Sequence, residues 1–102
     1  MAESERRKSP RFPMRQPVSL RVSGQKEEIT GVSQNVSKEG LMFQTSEAPP
    51  LGAKAEVVLS LESRLERNIR LAGACRVLRV TASGENQYSV AVGCSHAFTM
   101  ME

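Results

Sequence analysis

Val18-Ser19-Leu20-Arg21-Val22 alternates apolar and polar residues without interruption. Side chains along a strand point to opposite faces in turn, so this period marks a half-buried strand. Read outward, the same kind of segment recurs at short intervals. Ser23-Gly24-Gln25-Lys26 supplies a turn, and Ile29 to Gln34 reads as a second strand. Asn35 to Gly40 is rich in turn formers and Leu41 to Thr45 is a third strand. A proline-glycine loop, Glu47 to Gly52, leads into a fourth strand from Ala55 to Leu61. Glu62 to Asn68 is polar and reads as a loop or a single helical turn. Ile69 to Thr81 is a long β-rich run in which Gly73 predicts a bulge or a sharp bend. Ser83-Gly84-Glu85-Asn86 is a turn, and Gln87 to Cys94 is the last strand. A short C-terminal helix is one reading of His96 to Glu102.

Six short strands joined by turns predict an all-β fold, an antiparallel barrel or sandwich. Closure into a barrel removes the exposed edges that a single small sheet would leave. At 102 residues the chain fits one domain with one modest core. The expected division is a flexible basic N-terminal arm over residues 1–16 and a single β-barrel over 17–102. Pro10, Pro13 and Pro17 keep the arm out of a helix and on an extended path.

Charge is placed unevenly. Arg6, Arg7, Lys8, Arg11 and Arg15 face only Glu3 and Glu5 within the first fifteen residues, an excess of three. The net charge of the whole chain is also +3, so the remainder is neutral. A basic arm beside a neutral body suits a localised anionic partner, although a solvated tail has the same composition. No apolar run is long enough to span a membrane, and no apolar signal core follows the N-terminus. A cytoplasmic location is the default expectation.

Enzyme chemistry finds little to use. There is one histidine, His96, and no aspartate. No Cys/His spacing suits a metal, and no nucleophile has an evident base partner. Cys75 and Cys94 lie in apolar runs and read as small buried hydrophobes. The expectation is a binding module with no catalytic residues, no metal and no cofactor.

Two features could bind an anionic guanine ligand. Arg7 and Arg11 stand four residues apart with Arg6 immediately before them. An extended chain spans about 13 Å over that interval. An arginine fork grips phosphate with two parallel hydrogen bonds, and it fits guanine O6 and N7 equally well. The second feature is Asn35-Val36-Ser37-Lys38-Glu39-Gly40. Asn35 and Ser37 offer donors and acceptors to a base edge, and Gly40 permits close approach or positive φ. The same residues are also ordinary turn formers.

Together, Arg7-Lys8-Ser9-Pro10-Arg11 and Asn35-x-Ser37-x-x-Gly40 resemble the PilZ domain family of cyclic di-GMP receptors, whose signature is R-x-x-x-R followed by [D/N]-x-S-x-x-G. Arg11-Phe12-Pro13 resembles the family's continuation of the first motif and favours Arg7/Arg11 over Arg11/Arg15. Gly73 to Val77 and Tyr88 to Cys94 resemble its later strands. The resemblance runs over residues 6–94. It implies a six-stranded antiparallel β-barrel that binds cyclic di-GMP. It further implies that Arg7 and Arg11 hold guanine edges and phosphates, while Asn35, Ser37 and Gly40 hold a guanine from the barrel side. Arg6 resembles members that take the ligand as an intercalated pair. Asn35 stands where aspartate is more frequent, which gives up a charge and one acceptor. The implied output is a changed surface for a downstream effector protein.

Two other readings remain beside this one. A basic β-barrel can bind single-stranded nucleic acid, but such platforms stack bases on aromatics. This chain has only Phe12, Phe43, Phe98 and Tyr88. A PilZ-like adaptor that binds protein alone is the other, and the presence of all five motif residues argues against it.

Overall fold

A computed structural model of the chain describes residues 12–37, 39–61, 69–96 and 98–101. Eight strands make up its regular structure: β1 (Phe12–Pro13), β2 (Pro17–Val22), β3 (Ile29–Ser37), β4 (Gly40–Thr45), β5 (Lys54–Leu61), β6 (Ile69–Gly84), β7 (Gln87–Cys94) and β8 (Thr99–Met101). All pairings are antiparallel. The sheet runs β3-β2-β5-β6-β7-β4 and closes through β3–β4, forming a six-stranded antiparallel barrel.

Alternation places the core where the sequence predicts it. Val18, Leu20 and Val22 of β2 point inward and meet Phe43, Val57, Leu59, Val77, Val90 and Val92. Phe43, Leu20, Val57, Leu59 and Val90 are fully shielded from solvent. Each such side chain contributes roughly 1.5–3 kcal/mol of hydrophobic burial, which is what a barrel of this size has to offset chain entropy.

β1 and β2 lie in succession along one edge of β3, with a bulge between them. Pro13 pairs with Asn35, yet Pro17 pairs with Val32. Four steps on the first strand therefore face three on the second. Met14 N–H donates to Gln34 O (3.2 Å) and Ser33 N–H to Gln16 O (2.9 Å), which leaves Arg15 as the extra residue. Barrel pairing thus reaches back to Phe12, earlier than the expected start at residue 17. The arm residues 1–11 lie outside the described residues, as does the polar segment 62–68.

Two expectations are corrected at the far end. Residues 99–101 are not a helix but a strand, β8, paired with Arg70–Ala72 of β6. The reason is an unfilled edge. β6 pairs with β5 along 69–76 and with β7 only from Cys75 onward, so its first residues have one edge open. The C-terminal segment covers it. Gly73 marks no bulge, because its β5 register is unbroken. A Cβ there would stand 2.9 Å from the ring of Phe98, which packs on the core. The bulges of β6 fall instead between Val77 and Arg79 and between Ala82 and Gly84.

Cys75 and Cys94 are direct cross-strand partners and both are free thiols. Cys75 is buried, while Cys94 is only half-buried. Their mutual hydrogen bond pushes the Cys75 thiol up from its ordinary range, helped by burial, and draws Cys94 down.

Candidate functional site

The polar motif Asn35–Gly40 does not fold as a six-residue loop. Asn35 and Ser37 belong to β3, Gly40 opens β4, and Ser37 pairs with Gly40 across a two-residue connection. The site residues are therefore held by strands.

A second bulge decides which way they face. Ser33 pairs with Phe43, but Asn35 pairs with Met42, so Gln34 is an extra residue on the β4 side of β3. Before it, Ile29 and Ser33 point into the core. After it, Val36 packs on the core. One inserted residue reverses the parity of a strand. Asn35 and Ser37 are thereby turned to the outer face. Without the bulge they would point inward and Val36 would be exposed.

Ser33 braces this point. Its side chain is wholly buried. Its hydroxyl accepts from Gln16 N–H (2.9 Å) and donates to Met14 O. One side chain thus bridges the Arg15 bulge and ties the incoming chain to β3 beside Asn35. Gln34 is anchored as well, its Oε1 accepting from Ser89 Oγ at 3.0 Å. Sequence reading missed Ser33, although a signal was there. The inward phase of β3, starting at Ile29, calls for an apolar residue at 33 and finds a hydroxyl.

Ser37 Oγ accepts from Glu39 N–H (3.3 Å) and donates to Gly40 O (3.4 Å), which closes the turn. Asn35 Nδ2 reaches Met42 Sδ at 3.8 Å, a contact with a weak acceptor. Gly40 is buried against β7. A Cβ there would stand 2.2 Å from Val92 O. Its φ is not in the left-handed region, so glycine is needed here for close strand approach and not for turn conformation. Glu39 O accepts from Cys94 N–H at 2.7 Å, tying the connection to β7.

Asn35, Ser37 and Gly40 therefore come together on one patch of the barrel. Arg6, Arg7 and Arg11 lie outside the described residues, although the chain enters the barrel right after Arg11, where Phe12 pairs with Val36. Among the described residues no three His, Cys, Asp or Glu side chains form a metal cluster. Nor is there among them a helix long and apolar enough to cross a membrane.

The family model for the PilZ domain matches residues 5–100. Six solved chains also match. One is the Bacillus subtilis inhibitor of motility (MotI/DgrA), at 18% identity and a TM-score of 0.72, covering 90% of this chain and 44% of that one. The likeness is one of fold, and the chain spans less than half of that protein's length. No curated protein matches. A barrel of this topology, with Asn35, Ser37 and Gly40 gathered on the β3–β4 hairpin and a family match over nearly the whole chain, places the chain in the PilZ domain family, a family of cyclic di-GMP receptor domains that bind or adapt rather than catalyse.

Proposed function

We propose that this chain is a cytoplasmic receptor that binds cyclic di-GMP on the outer face of the β3–β4 hairpin. The observation that carries the reading is the Gln34 bulge, which turns Asn35 and Ser37, both half-buried, to the same outer face of β3. Asn35 offers an amide to the edge of a guanine, and displacing its thioether contact costs little. Ser37 offers a hydroxyl whose present bonds, at 3.3 and 3.4 Å, are long enough to be exchanged for one to a base. Arg7 and Arg11 supply forks for phosphate and for guanine O6 and N7. Arg6 sets whether one ligand or a stacked pair is held. Holding these arginines on the ligand costs side-chain entropy, which charge-assisted bonds and stacking offset. The output is a surface for an effector protein, and no catalytic step is required.

The aromatic residues speak against a base-stacking platform for nucleic acid. Phe43 is sealed in the core, while Phe98 and Tyr88 pack against it. Among the described side chains none forms an exposed stacking stripe.

Titration calorimetry with cyclic di-GMP tests the proposal and reports stoichiometry. Wild type should bind, and Arg7→Ala or Arg11→Ala should lose binding while keeping the unfolding midpoint. Unchanged affinity in Arg11→Ala would contradict the mechanism. A folded wild type that gives no heat would leave the protein-only adaptor in its place.

A further inference from the structure

We infer that the ligand site continues around the barrel into a second anion-binding subsite walled by Arg76 and Lys54. This rests on the cyclic di-GMP reading above. The sheet register carries it: Ser37 pairs with Gly40, Gly40 with Gly93, Gly93 with Arg76, and Arg76 with Lys54. Directly opposed residues share a face of the sheet, so this row crosses the outside of the barrel from the motif to the two cations. Arg76 is exposed between buried Cys75 and Val77, and Lys54 is exposed beside buried Ala55. At about 4.8 Å per strand, Ser37 and Arg76 are roughly 14 Å apart along the row.

The middle of the row carries no side chains, because both positions are glycine. Gly93 edges a groove of about 370 Å³ that is also lined by Ser23, Lys54, Ala74, Arg76 and Ser95. Two cations and two hydroxyls meet there, and no carboxylate is among the lining residues. Glu56, opposite Ala74 on β5, is the acidic neighbour on that outer face. Arg76 Nη1 donates to Gly52 O at 2.9 Å, which fixes the guanidinium and leaves its other N–H groups for phosphate.

The β6 bulge adds the apolar half of the subsite. It throws out Leu78, which is 61% exposed and leans on Gly93 closely enough that a Cβ there would stand 2.7 Å from Cδ1. An exposed leucine beside a cationic groove suits a nucleotide, with the base against Leu78 and the phosphate on Arg76 and Lys54. The subsite thus holds the end of the bound cyclic dinucleotide that lies farther from Asn35 and Ser37.

The test is calorimetric titration of the full chain with cyclic di-GMP at low and at high salt. It compares wild type with Arg76→Ala/Lys54→Ala, and with Leu78→Ser. The double variant should bind at least roughly tenfold more weakly, as expected for losing charge-assisted bonds. Its affinity should also depend less on salt than that of wild type. Leu78→Ser should weaken binding with the salt dependence kept. Unfolding midpoints should match wild type, since all three side chains are exposed. A double variant with wild-type affinity and salt dependence overturns the subsite while leaving the hairpin site standing. A wild type that does not bind removes both.

Discussion

The barrel has two hairpins with two-residue connections, Ser37 to Gly40 and Gly84 to Gln87. Gly93 pairs with Gly40 and Tyr88 with Thr45, so they sit at opposite ends of β7. Each contains a glycine, a short polar residue and a glutamate, and their turn signals read alike. Their construction differs. The Gly84–Gln87 turn is a local matter: Asn86 takes a left-handed conformation (φ 56°), and a Cβ on Gly84 would meet nothing nearer than the Gln87 side chain at 3.4 Å. The Ser37–Gly40 turn is held by a third strand, with Gly40 against Val92 O and Glu39 O bonded to Cys94 N–H. A turn held only by its own backbone can change freely. One wedged between strands fixes the residues it presents, which is what a binding site needs.

Substitutions can break this contrast, and the largest effect belongs to Gly40→Ala. The new methyl has no room against a backbone carbonyl, so strands must part at a cost of about 3 kcal/mol or more, read as the denaturation midpoint. Ser33→Ala comes next. It removes the two part-buried hydrogen bonds that Ser33 Oγ makes to Gln16 N–H and Met14 O across the bulge and should cost about 1–2 kcal/mol by the same measurement. At the other hairpin Asn86→Val forces a branched residue into a left-handed conformation and should cost roughly 1–2 kcal/mol. The smallest effect is Gly84→Ala, within about 0.5 kcal/mol of wild type. Equal costs for Gly40→Ala and Gly84→Ala would erase the distinction between the two turns.

How far the sequence could be read follows from the same physics. Alternation at Val18–Val22, and β-rich runs elsewhere, located the barrel strands because burial on one face imposes period two. The motif positions Asn35, Ser37 and Gly40 were visible as a group. Their placement on strands was hidden, because asparagine, serine and glycine in succession carry the composition of a loop. Nothing local announces that Gln34 is an extra residue, since a bulge is defined by the partner strand. The need for glycine at position 40 was equally hidden, being set by Val92 some fifty residues away. Gly73 misled for the same reason: its neighbour is Phe98, not a bend. The C-terminal strand follows from an open edge on β6 that only the assembled barrel reveals.

On the proposed function, ligand is read at the wedged hairpin and not at the free one. Amide chemical shifts followed through a titration with cyclic di-GMP test it most directly. The largest changes should fall at Asn35, Ser37 and Gly40, smaller ones at Gly93 and Arg76, and none at Gly84 to Gln87. Shifts centred on Gly84–Gln87, with Asn35–Gly40 unmoved, would contradict it.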